Sequence, residues 1–254
     1  MTRVSTFAVV ALGATALIAG CSGSPTSAQG SGEITVFAAA SLKSTFTELG
    51  TRFEAANPGT TVNVNFAGSS DLVTQLTQGA PADVFASADG TNMARAVDAD
   101  LVAGAPENFA TNTLTIVTPP GNPKDIASFA DLARPDTTVV VCAPQVPCGS
   151  ATEELEQETG VTLTPVSEES AVTDVLGKIT SGQADAGLVY VTDAKGAGDK
   201  VTEVPFPETS GAVNTYPIAV LTGSANSVSA QMFVDFVTGR EGQKVLSEAG
   251  FAAP

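Results

Sequence analysis

Four short stretches of this 254-residue chain place small or hydroxyl-bearing residues where a strand-like run gives way to a helical one. They are Ala38-Ala39-Ala40-Ser41, Ala67-Gly68-Ser69-Ser70, Pro147-Cys148-Gly149-Ser150 and Glu169-Ser170-Ala171-Val172. The first turn of a helix carries backbone N–H groups with no partner inside the helix and a partial positive charge, so it attracts anions. A serine there adds a hydroxyl donor. Each serine, taken alone, also satisfies a simpler role as the cap of its own helix. Four such junctions, two from each half of the chain, can surround one small anion. A fifth stretch, Gly187-Leu188-Val189-Tyr190, ends an apolar run on a phenol. Its hydroxyl is either a donor at the same place or simply packed at the end of a sheet.

Composition limits the chemistry of such a site. The chain has no histidine, no tryptophan and two tyrosines. Serine nucleophiles with a histidine base, Cys-His pairs and histidine-containing zinc sites are excluded, and there is little aromatic surface for a large organic ligand. The nearest cations to the junctions are Lys43 and Lys178. A site built of neutral N–H and O–H donors suits a fully deprotonated tetrahedral oxyanion. A protonated phosphate would need a carboxylate acceptor, and only Glu168 and Glu169 stand close in sequence, where acids also act as dipole partners of a helix start. The net charge of −16 argues against a nucleic-acid partner, which requires clustered Lys and Arg.

The elements that must position these junctions follow from periodicity. Residues 34–39 read as a strand, and 42–56 as a helix with Phe46, Leu49 and Phe53 on one face. Strands over 61–67 and 83–88 alternate with helices over 70–78 and 92–99. The pattern then restarts with strands over 114–117, 138–142, 162–166 and 186–191 and helices near 128–132, 150–159 and 171–181. A last strand, 216–221, precedes helices over 230–237 and 241–249. Alternating strands and helices predict doubly wound, mainly parallel α/β sheets. Two such units predict two lobes, the first from residues 33–112 plus 218–254 and the second from 113–217. One larger sheet is the alternative.

The first twenty residues do not fit that fold. Arg3 followed by an apolar run to Ala19 reads as a secretory signal peptide, and Ile18-Ala19-Gly20-Cys21 is similar to the lipobox of bacterial lipoproteins, with Cys21 as the lipidated residue. Residues 21–32 then form a flexible tether. An exported protein sits where disulfides persist, so Cys142 and Cys148 either form a bridge or remain two thiols. A bridge closing so short a loop contributes about 2–2.5 kcal/mol.

Taken in order, I-T-V-F-A-A-A-S-L, F-A-G-S-S-D-L, G-A-P-A-D-V-F-A-S-A-D and G-L-V-Y-V-T-D-A resemble the molybdate-binding proteins of ABC transporters, from about Gly32 to the C-terminus. The resemblance implies the type II periplasmic-binding-protein fold, two lobes closing on a dehydrated oxyanion, molybdate and also tungstate. It implies Ser41 and Ser69 as hydroxyl and N–H donors, Cys148 and Val172 as backbone N–H donors, and Tyr190 as a hydroxyl donor, with the register between Ser69 and Ser70 open. It further implies a monomeric, non-enzymatic receptor without a cofactor. Such a receptor is held outside the cytoplasm on the cell membrane by its lipid and delivers the ion to an ABC permease and its ATPase.

Overall fold

The computed structural model describes residues 1–2 and 32–254. The signal peptide, Cys21 and nearly all of the tether lie outside the described residues. Strand β1 (Gly32–Ala39) is extended by its β-branched and aromatic residues and runs into a single 3-10 turn, Ala40–Leu42. Helix α1 (Lys43–Ala56) buries Phe46, Leu49 and Phe53, as their spacing requires. Strand β2 (Thr60–Ala67), helix α2 (Ser69–Thr77), strand β3 (Val84–Ala86) and helix α3 (Gly90–Asp98) complete the first run. Both β2 and β3 pair with β1 in parallel.

Strand β4 (Glu107–Thr118) is much longer than the four residues expected from the sequence. Its first half pairs antiparallel with strand β9 (Val213–Val220), and its second half with strands β7 (Ala186–Tyr190) and β8 (Thr202–Val204). Because β9 also pairs antiparallel with β3, β4 and β9 carry the hydrogen-bonded path from one lobe to the other. The sheet of the second lobe adds β5 (Val139–Cys142) parallel to β7, and β6 (Ser167–Glu169) parallel to β5. Helices α4 (Pro147–Thr159), α5 (Val172–Thr180) and α6 (Val191–Ala197) belong to this half, whereas α7 (Ser227–Thr238) and α8 (Arg240–Ala249) return to the first.

The strand expected over 162–166 does not form. Pro165 removes a donor from that stretch, and the pairing with β5 falls instead on Ser167–Glu169. The helix expected near 128–132 is a short 3-10 segment, Phe129–Ala133, opened by a Ser128–Asp131 capping box.

The buried apolar side chains fall into three clusters. One joins Leu114, Val140, Leu155, Val175 and Leu188 in the second lobe. The other two cover opposite faces of the first sheet. Ile34 and Val36 pack with Phe46, Phe53, Phe109 and Phe233, while Phe37 packs with Leu72, Phe85 and Met93. Each buried side chain of this size contributes about 1.5–3 kcal/mol, which makes each lobe a rigid platform for its junction loops.

Candidate oxyanion site

The expected residues converge on one small cavity. Ser41, Ser69, Cys148, Val172 and Tyr190 all line it, together with Ala39, Ala40, Gly68, Ala88, Val146 and Pro147. The cavity measures only about 10 Å³, room for roughly one water molecule and far below the size of organic-ligand pockets. No charged side chain lines the cavity among the described residues.

Local sequence explains why these residues stand at helix starts. Ser41 is the second residue of the 3-10 turn, Ser69 the first of α2, Cys148 the second of α4 and Val172 the first of α5. Each therefore presents a first-turn N–H that its own helix cannot satisfy. The serines do not act as helix caps, since none of these four helix starts has a side-chain cap hydrogen bond. Ser69 lines the cavity and Ser70 does not; the Ser70 hydroxyl is buried without a partner among the described residues. Ser150, a further junction hydroxyl, turns back to donate to the Pro147 carbonyl at 3.1 Å.

Hydroxyl orientation is set by neighbours. The Ala88 N–H donates to Ser69 Oγ at 3.0 Å, which leaves the Ser69 hydrogen free to be given to a guest. Ser41 Oγ lies 3.0 Å from the Tyr216 hydroxyl; with the phenol donating, the Ser41 hydrogen is likewise free. The Tyr190 hydroxyl, fully buried, has no hydrogen-bond partner among the described residues. Burial holds both phenols well above their ordinary pKa, so both remain donors. Tyr216 was not among the residues picked out by the junction pattern. Its signal was being the other of the two tyrosines, also on an apolar strand run, and its ring meets that of Tyr190 edge-on at 5.9 Å.

Close packing shapes the remaining wall. A Cβ on Gly68 would lie 2.0 Å from the Ser170 carbonyl oxygen of the opposite lobe, and one on Gly149 would lie 1.9 Å from Ala143 O. Cys142 and Cys148 are bonded to each other, which ties the start of α4 to the end of β5. Glu169 pairs with Lys178 at 3.0 Å, which with a hydrogen bond from Ser167 draws its carboxyl below the usual range against the desolvation of burial. Glu168 is exposed, so neither acid lines the cavity. Two other carboxyls stand close. Burial pushes Asp89 up despite its bonds from Asn92, and pushes Asp193 up to about 7 against a bond from the Tyr190 N–H. Lys43 lies in an adjoining groove that shares Ala40 and Ser41 with the cavity.

This arrangement can hold a small guest that is all acceptor. Among the described residues, the Ser41 and Ser69 hydroxyls have a phenol and a backbone N–H as their hydrogen-bond neighbours.

Comparisons with known proteins agree in direction. The family model described as bacterial extracellular solute-binding protein matches residues 34–252. The molybdate-binding protein ModA of Mycobacterium tuberculosis H37Rv is 56% identical over 256 residues, covering 99% of this chain and 98% of that protein. ModA of Escherichia coli K12 is 32% identical, covering 87% and 89%. The solved structure of the Azotobacter vinelandii periplasmic molybdate-binding protein matches with a TM-score of 0.77 at 20% identity, over 87% of this chain and 99% of that one, a likeness of fold.

Proposed function

The chain belongs to the bacterial extracellular solute-binding protein family and has its two-lobed type II fold, and on that premise we propose that it captures molybdate, and also tungstate, for an ABC permease and its ATPase. The observation that carries this reading is the uncharged cavity into which both lobes turn first-turn N–H groups and free hydroxyl hydrogens. Ser41 and Ser69 donate through hydroxyl and N–H, Cys148 and Val172 through N–H, and Tyr190 through its unpartnered hydroxyl. The names of the 56% and 32% identical relatives support molybdate as the ion.

Neutral, preorganised donors compensate a desolvated dianion without adding a proton acceptor, which disfavours protonated phosphate. Sulfate presents the same acceptors on a smaller frame, so selectivity rests on how well the ion spans donors from both lobes. Closing the lobes about β4 and β9 buries the ion and creates the surface that the permease reads. A lipid on Cys21 anchors the receptor outside the cytoplasm, with residues 21–32 as its tether, and the receptor works as a monomer.

Calorimetric titration of the purified protein with molybdate, tungstate, sulfate and phosphate tests the reading. Molybdate and tungstate are expected to bind at least tenfold more tightly than sulfate, and phosphate to be weakest. Sulfate binding as tightly as molybdate would overturn it.

A further inference from the structure

Asn214 lies outside the cavity lining, yet it touches one lining residue from each lobe, Ala88 and Pro147. It sits on β9 directly opposite Asn112 of β4, where the two strands cross between the lobes, and is 6% exposed. Its side-chain Nδ2 donates to the Ala88 carbonyl at 3.0 Å and to the Pro147 carbonyl at 3.4 Å. Ala88 follows β3 in the first lobe, and its own N–H orients the Ser69 hydroxyl. Pro147 opens α4 in the second lobe and immediately precedes Cys148. One amide therefore spans a carbonyl from each lobe, and each carbonyl belongs to a residue directly linked to a proposed donor.

The orientation of this amide is fixed by its partners. Both are carbonyl oxygens, which only accept, so the NH₂ end must face them. The opposite end, Oδ1, is buried without a partner among the described residues. An orphaned buried carbonyl is unfavourable, so what keeps an asparagine here is its pair of donors. A second seam bond of the same kind, weaker at 3.4 Å, runs from Asn92 Nδ2 of the first lobe to the Gln145 carbonyl of the second.

We infer that Asn214 is a positioning residue that latches the closed lobes over the bound oxyanion and sets the rate at which the ion leaves. The inference rests on the oxyanion reading above. When the lobes part, the Ala88 and Pro147 carbonyls separate and one amide can no longer hold both. The bonds therefore form after the ion arrives and must break before it departs. Their loss acts on dissociation rather than on capture, as interface changes generally do.

The test is rapid-filtration kinetics with radiolabelled molybdate on the wild type, Asn214→Ala, Asn214→Asp and Asn214→Ser. For Asn214→Ala we expect dissociation about tenfold faster, association within about twofold of wild type, and a ligand-free melting temperature within ~2 °C. Asn214→Asp, which turns a carboxylate toward two carbonyls, is expected to release the ion faster still. Asn214→Ser keeps one donor; it is expected to fall between alanine and wild type, and gives the same readout if the alanine variant does not fold. Wild-type dissociation rates in both the alanine and serine variants would overturn the latch. So would a loss confined to association or to ligand-free stability. A wild type that fails to retain molybdate would instead overturn the assignment of the ion.

Discussion

The two lobes meet the proposed ion with different chemistry. The first lobe offers hydroxyls, Ser41 and Ser69, each set by a neighbour that occupies the oxygen and frees the hydrogen. The second offers backbone at Cys148 and Val172, held by a disulfide and a helix start, with Tyr190 as its only side-chain donor among the lining residues. Side-chain donors depend on residue identity, whereas backbone donors depend only on where the chain runs. Substitutions on the two sides should therefore differ sharply in effect, and the largest effect should come from a glycine at which the backbone of one lobe meets the other.

That residue is Gly68. Its backbone angles, φ −59° and ψ 141°, suit any residue, so the glycine is required by space alone. A Cβ there would lie 2.0 Å from Ser170 O across the cleft. Gly68→Ala is expected to weaken molybdate binding by about 100-fold, the cost of overpacking a closed interface, while ligand-free melting barely moves because the clash exists only on closure. Calorimetry and melting curves measured together check this. Equal affinity in the variant would mean that the ion is held without the lobes meeting at Gly68.

Next comes the comparison of Ser69→Ala with Val172→Ala. The serine variant loses a hydrogen bond to a charged guest and leaves the buried Ala88 N–H without its acceptor, for an expected 10- to 100-fold loss of affinity. The valine variant keeps its N–H, so affinity should stay within about threefold while packing costs roughly 1–2 kcal/mol of stability. Equal affinity losses at both positions would dissolve the distinction between side-chain and backbone donors.

This division also explains what could be read from the sequence. The junctions that hold Ser41, Ser69, Cys148 and Val172 were legible because small and hydroxyl residues at strand-to-helix turns are a local pattern, and local patterns survive in one dimension. The choice of Cys148 and Val172 within their junctions, and of Tyr190 as a donor rather than a packed ring, follows only from the resemblance to molybdate-binding proteins. The roles of Tyr216, Asn214 and Gly68 were not legible, because each depends on residues far apart in the chain: a phenol reaching Ser41 from 175 positions away, an amide joining a carbonyl from each lobe, a glycine against the opposing backbone. The serine caps failed for a related reason. Ser41 and Ser69 sit inside the first turn rather than ahead of it, a shift of a residue or two that periodicity does not resolve. Strand β4 was read short because its first half, E-N-F-A-T-N-T, is polar in composition and is made a strand by β9 beside it. The stretch 162–166 shows the reverse, apolar alternation without a strand.

The smallest expected effect concerns Asp193, which lies beneath the second lobe's one hydroxyl donor and accepts from the Tyr190 N–H at 3.2 Å. Burial raises its carboxyl from 3.8 to about 7. A folded-state pKa above the unfolded value means that the folded chain binds the extra proton between those limits. This group's contribution to stability is thus fully present below pH ~4, declines as pH rises toward 7 and is flat above, by at most about 1.4 kcal/mol per pH unit. Ionised Asp193 also opposes a dianion, so affinity should fall a few-fold between pH 6 and pH 8. Lys43, Lys195 and Lys200, which line the same groove, offset part of that repulsion, and solvent screens more of it. Asp193→Asn is expected to flatten both profiles, with melting curves and calorimetry at pH 5, 6, 7 and 8 as the readout. If wild-type affinity is unchanged from pH 6 to pH 8, the charge on Asp193 does not reach the ion, and the second lobe's share of the site reduces to its backbone and the Tyr190 hydroxyl.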